Sequence, residues 1–176
     1  YLQNDNREEH LNRALDTSAE MVFPFRFETA DFLKNLITTN SHWKLKYYLG
    51  LIYWNKGLIN RAKELFNACK NEADFAAFYL AKNNLNQLTQ EDERTTLEKA
   101  HNLEPKNWRV ILALSKNYLK TNQVKKAISL VKPFTKSHPE NSQIGLAYVQ
   151  SLIKNEQHKV ALEFLEQFEI LPFEGS

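Results

Sequence analysis

Five histidines, one cysteine and 21 carboxylates are the side chains of this 176-residue chain that could do metal, nucleophilic or acid–base chemistry. His10, His42, His101, His138 and His158 show neither a His-Glu-x-x-His motif nor an i, i+4 pair. That spacing is what sets two imidazoles over one zinc ion on a helix. His138 precedes Pro139 and reads as a solvated turn residue. Cys69 falls at a small apolar position, where a thiol packs as a hydrophobe; a nucleophilic thiol needs an exposed, electropositive setting. Glu91-Asp92-Glu93 forms an acidic cluster, but it opens a helical run, where negative charge is favoured by about 0.3–1 kcal/mol. Capping accounts for it better than metal binding. No glycine-rich phosphate loop is present. These residues assemble no catalytic set, metal site or cofactor site.

What remains is aromatic and basic, and the elements that carry it repeat. Pro105 and Pro139 are 34 residues apart, as are Ala127 and Ala161, and Phe134 and Phe168. Leu49-Gly50, Tyr53, Ala62, Phe66 and Cys69 fall into the same frame. So do Leu80-Ala81, Leu97, Ala100 and Pro105, after a step of 31. Leu114-Ser115, Tyr118, Ala127, Val131, Phe134 and Pro139 form a third unit. Tyr148-Val149, Leu152, Ala161, Leu165 and Phe168 form a fourth. Each unit holds two apolar stripes of helical period around a polar turn: Lys56-Gly57, Leu88 to Gln90, Thr121-Asn122 and Asn155-Glu156. One such hairpin cannot bury its apolar face alone, whereas stacked neighbours build a continuous core.

The unit Leu49-Gly50-x2-Tyr53-x8-Ala62-x3-Phe66-x2-Cys69 resembles the tetratricopeptide repeat. Departures are visible: Lys46, Ala77, Ile111 and Gly145 stand where that family has tryptophan. Glu93 replaces a small residue, and Asp74 and Phe173 replace the closing proline. The expected fold is all-α, a right-handed superhelical solenoid of tetratricopeptide-like hairpins at 43–73, 74–107, 108–141 and 142–173. Residues 1–40 form an N-terminal cap or degenerate repeat, with one helix capped near Asn4 or Asp5, an aromatic turn at Phe23-Pro24-Phe25-Arg26 and a second helix from about Glu28 to Thr38. Residues 174–176 are a truncated tail. Gly50 in mid-helix should cost about 1 kcal/mol against alanine, offset by close approach at Ala62. Pro133, inside a helix, should kink it near Ser129.

Composition agrees. Apolar residues are 43% and charged residues 25% of the chain, with four glycines and one cysteine, which excludes a disordered chain and a disulfide scaffold. No apolar run approaches the roughly 20 residues of a membrane span. A start at Tyr1 reads as a piece of a longer protein. The single cysteine fits the cytoplasm, with the periplasm left open.

In the family, the first helix of each unit lines a concave groove. Carried over residue by residue, the resemblance implies groove positions at Lys44, Tyr47, Tyr48, Leu51, Trp54 and Asn55, then Phe75, Phe78, Tyr79, Lys82, Leu85 and Asn86. The third unit supplies Arg109, Leu112, Ala113, Lys116, Leu119 and Lys120, and the fourth Gln143, Leu146, Ala147, Gln150, Ile153 and Lys154. Six of these are Lys or Arg and none is acidic. The implied partner is a protein or an extended acidic peptide, held by aromatic area and charge-assisted hydrogen bonds. The chaperone-type carboxylate clamp is excluded, because Tyr47, Leu51, Tyr79 and Ala113 occupy its basic and amide positions and only Arg109 fits.

Val22-Phe23-Pro24-Phe25-Arg26, Lys46-Tyr47-Tyr48-Leu49-Gly50-Leu51, Phe78-Tyr79-Leu80-Ala81 and Leu171-Pro172-Phe173-Glu174-Gly175 further resemble the repeat region of bacterial proteins with an N-terminal mutarotase-like domain. That resemblance implies a non-catalytic appendage that docks on, or dimerises, a carbohydrate-active domain of its own chain. The apolar Ile170 to Phe173 edge is a candidate homodimer contact. With a net charge of +2 and a pI of 8.6, nucleic acid is not an expected partner, and with no run long enough to span a bilayer neither is a membrane.

Overall fold

The computed structural model describes residues 2–86 and 88–168. Among these residues there are ten helices and no strand: α1 (Leu2–Asp16), α2 (Glu28–Thr39), α3 (Trp43–Asn55), α4 (Ile59–Ala68), α5 (Ala76–Leu85), α6 (Gln90–Leu103), α7 (Trp108–Lys120), α8 (Val124–Ser137), α9 (Ser142–Lys154) and α10 (His158–Gln167). The chain divides after Asn86 into two compact units, with α1–α5 in the first and α6–α10 in the second. The fold class is an all-α, tetratricopeptide-like helical solenoid. The expected C-terminal edge at Ile170 to Phe173 and the tail at 174–176 lie outside the described residues.

Three hairpins turn by the same device. Gly57, Asn122 and Glu156 have φ of 74°, 59° and 60°. One residue later, the amides of Leu58, Gln123 and Gln157 bond back to the carbonyls of Tyr53, Tyr118 and Leu152 at 2.9, 2.7 and 3.0 Å. A left-handed residue followed by this long return bond satisfies helix-end carbonyls and reverses the chain. Glycine and asparagine suit the conformation, whereas glutamate adopts it against its own steric preference. Between α5 and α6 the geometry differs. α5 ends in an extended Asn86, and α6 starts after Thr89, whose Oγ1 accepts from the Asp92 amide at 3.2 Å and donates to the Asp92 carboxylate at 2.7 Å.

In the first unit α3 packs against α2 and α4, and α4 against α5. Its core is aromatic. Phe66 and Phe78 lie nearly parallel at 5.4 Å, with Tyr47 edge-on to both at 5.6 Å and Tyr79 edge-on to Phe78 at 5.1 Å. Such geometries match ring quadrupoles and add to the area buried. In the second unit α7 and α9 adjoin and α8 packs on both. Ile111, Val131, Ile144, Tyr148, Val149, Leu152 and Ala161 form that core.

Two local expectations change. α1 begins at Leu2 and runs through Asn4 and Asp5 instead of starting there. α8 runs as one 14-residue element across Pro133, whose ring leaves the Ser129 carbonyl without its i+4 amide donor; Pro133 and Ser129 are both exposed. Gly50 makes room for Phe66 and not for Ala62: a Cβ on Gly50 would lie 2.9 Å from the Phe66 ring, and one on Gly145 would lie 2.2 Å from Phe168.

Gly50→Ala therefore sets a helix-propensity gain of about 1 kcal/mol against crowding of about 1–3 kcal/mol. The expected result is a net loss of about 1 kcal/mol in urea unfolding, turning to a gain in a Phe66→Leu background. A stabilised single variant would show that the ring does not hold this contact.

Candidate functional site

Lys44, the first of the expected groove cations, is only 5% exposed. Its ammonium donates to the carbonyls of Leu15 and, at 2.7 Å, of Thr17, where α1 ends. It also lies 5.6 Å from the Trp43 ring. A cation there answers the negative end of a helix dipole and satisfies orphan carbonyls. Other lysines do the same work more loosely. Lys46 reaches the Ala68 carbonyl at the end of α4 at 3.5 Å, and Lys82 the Lys70 carbonyl in the turn that follows it at 3.4 Å. Burial pulls the Lys82 ammonium below its ordinary pKa.

The aromatic groove positions depart from expectation in the same way. Tyr47, Phe78 and Tyr79 are 3%, 0% and 1% exposed, because the ring cluster that holds α3, α4 and α5 together needs their area. Burial pushes the Tyr47 phenol up to about 12, and the Tyr79 hydroxyl donates to the Ala73 carbonyl at 2.9 Å. These side chains, with Lys44, are core and fastening, and present no face to a ligand. Tyr48 is half-buried. Asn86 caps α5 and accepts from Asn67 at 3.4 Å.

Leu51, Trp54 and Asn55 remain accessible, and they meet a segment that the groove assignment left aside. With Phe23, Pro24 and Phe25 they line a cleft of ≈ 370 Å³. Phe23 and Phe25 are 62% and 65% exposed, and Met21 is 79% exposed. The aromatic turn visible in the sequence thus lies against α3.

In the second unit the expected cations stay at the surface. Arg109, Lys116 and Lys120 are exposed and recur at i, i+7 and i+11, which places them on one face of α7. Arg109 stacks its guanidinium 4.5 Å from the Trp108 ring. Lys120 lies 3.5 Å from Glu93. On the adjoining α9, Gln150 is exposed, and Lys154 donates to the Leu119 carbonyl at 2.5 Å, pinning α9 to the end of α7. Leu146 and Ile153 are 42% and 49% exposed beside them. No Asp or Glu occurs between Glu104 and Glu140, while eight Lys or Arg do. All eight are exposed. Charge patterning along the sequence is the signal for this one-sided run, which the repeat frame, counting single positions, does not capture.

The remaining candidates for chemistry are quiet. Cys69 is buried, its Sγ donating to the carbonyls of Trp43 and Leu65, and desolvation raises its pKa to about 12. His42 caps α3, accepting the Lys44 amide at Nδ1, and burial with the Lys44 charge lowers its pKa. His138 is not fully solvated: it stacks on Phe134 and lies 3.5 Å from Glu140. Glu91, Asp92 and Glu93 open α6 and pair with Arg94, Thr89 and Lys120. Among the described residues, no three His, Cys, Asp or Glu side chains converge as a metal site would require.

Polar positions that the repeat frame passed over hold the second unit in register. Asn107 and Asn141, each two residues after a proline, cap α7 and α9 by accepting from Arg109 and Val110, and from Gln143 and Ile144. The fully buried Asn117 donates to the Gln90 carbonyl and the Glu93 carboxylate, both at 3.1 Å, tying α7 to the start of α6.

Lys44→Met should cost the first unit about 1.5–3 kcal/mol, since it leaves carbonyls without a charged donor, and should not change binding on α7. Denaturant unfolding monitored at Trp43 and Trp54 reads the loss; an unchanged midpoint would remove the fastening role.

No protein-family model and no curated protein matches the chain. Solved structures of MamA, a tetratricopeptide-like helical protein, do. MamA AMB-1 aligns with a TM-score of 0.65 and 18% identity, over 84% of this chain and 82% of that one. A second MamA crystal structure aligns with a TM-score of 0.64 and 14% identity, over 92% and 84%. MamA MSR-1 aligns with a TM-score of 0.61 and 19% identity, over 80% and 83%. At that identity, what the likeness shows is the fold, a helical solenoid of tetratricopeptide-like hairpins.

Proposed function

We propose that the chain is a non-catalytic protein-interaction scaffold, and that it holds an extended acidic segment on the α7–α9 face of its second unit. One observation carries the reading: Arg109 and Lys116 share an exposed face of α7 within a stretch of sequence free of carboxylates, with Lys120 on the same face beside Glu93. Gln150, Leu146 and Ile153 supply the polar and apolar contacts beside it. Carboxylates of an extended peptide gain charge-assisted hydrogen bonds there, while its apolar side chains cover the exposed leucine and isoleucine. Relative to the expectation of a groove running through all four repeats, the cationic contribution is concentrated in α7.

Calorimetric titration with a peptide of alternating glutamate and leucine tests this. Arg109→Glu with Lys116→Glu should weaken binding by about tenfold or more and reduce its salt dependence. Equal affinity for the wild-type chain and the variant would end the proposal.

A second reading, docking on a neighbouring domain of the same chain or self-association, is favoured by the segment Met21 to Phe27, whose aromatic side chains stand in solvent. Exposed apolar patches of this kind mark contact surfaces. Phe23→Ser with Phe25→Ser should lower any concentration-dependent association seen by light scattering. A wild-type chain that stays monomeric throughout would count against self-association.

A further inference from the structure

The charged side chains of α8 are all lysines, and they are ordered. Lys125, Lys132 and Lys136 recur at i, i+7 and i+11, forming a line of about 16 Å along one face. Ser129 continues it at i+4. All four are exposed, on the side away from the buried Ala127 and Val131. Lys126 flanks the line, with its ammonium 5.5 Å from the Tyr118 ring. No ion pair engages these lysines among the described residues, and neither α7 nor α8 contains a carboxylate.

The composition of this face decides the class of partner. It has no arginine to fork onto a carboxylate and no exposed ring to stack a base. No large apolar side chain of α8 is exposed to anchor a folded protein. A net charge of +2 is small for a chain that tracks the phosphate rows of a duplex. Lysines without such companions sum their Coulomb attraction toward a surface whose negative charges are many and mobile. Beside Lys125 and Lys126 lies a recess of ≈ 420 Å³, lined also by His101, Tyr118, Ser129 and Leu130. There the His101 Nδ1 is buried without a hydrogen-bond partner among the described residues.

We infer that α8 is a docking face for an anionic lipid surface, with the recess seating one headgroup phosphate between two ammonium groups and the imidazole. The contact is peripheral: no helix among the described residues is long and apolar enough to cross a membrane. It reverses the expectation from the sequence, which set membranes aside as partners for want of a spanning run. It is independent of the acidic-segment reading, which uses α7.

Co-sedimentation of the 176-residue chain tests it, using phosphatidylcholine vesicles with and without about one-third phosphatidylserine. The chain should bind the anionic vesicles at low salt, release them at high salt and ignore the neutral ones. Lys125→Glu, Lys132→Glu and Lys136→Glu together should lower partitioning by at least tenfold, given about fivefold for each lysine removed. Arg109→Glu with Lys116→Glu should preserve most of it. His101→Phe should weaken binding to the same vesicles while leaving circular dichroism unchanged. No binding to anionic vesicles overturns the inference, as does equal loss from the α7 and α8 variants. Retention of duplex DNA or of the glutamate–leucine peptide through α8, without vesicle binding, overturns it too and reassigns the face.

Discussion

An α-helix cannot satisfy its own last carbonyls, and in this chain lysine ammonium groups supply several of the missing donors. Lys44 holds the end of α1, Lys46 reaches the end of α4 and Lys82 the turn that follows it, and Lys154 holds the end of α7. With helices of 10 to 15 residues, ends make up a large share of the backbone, so this demand shapes the whole molecule. It also sorts the cations. A lysine committed to a buried carbonyl cannot meet a ligand without leaving that carbonyl bare, which is costly in low dielectric.

The same sorting separates the two units chemically. In the first, the rings of α3 and α5 and the Lys44 ammonium are turned inward, and the accessible chemistry is an aromatic cleft between the Phe23–Phe25 turn and α3. In the second, the core is aliphatic with one aromatic cluster at its end, and polar fastening falls to Asn107, Asn117 and Asn141. Its lysines are thereby left to the surface of α7 and α8. A hairpin carrying seven cations and no carboxylate in its two helices repels itself by a modest amount in water, a cost that an anionic partner would relieve.

Much of the fold was legible in advance. The 34-residue stride, paired apolar stripes and polar turns located the helices to within a few residues, because helical period and turn chemistry are local properties. The Schellman-type turns at Gly57 and Asn122 follow from residue type, whereas Glu156 occupies the same conformation only because its repeat demands it. The tying role of Asn117 could not be read, since a buried asparagine declares itself only through the partner that a distant helix brings.

Function was harder to read for a related reason. Residue identity alone determined that helices would pair, that Cys69 would sit at a small apolar position, and that residues 105–139 would carry positive charge without opposition. Tertiary packing alone decided which of the expected groove residues face water: Tyr47, Phe78 and Tyr79 went to the core and Lys44 to a helix end, while Arg109, Lys116 and Lys120 stayed outside. The reason is that a side chain's chemical type travels with the sequence, but its exposure depends on which other segments need its area or its hydrogen bonds.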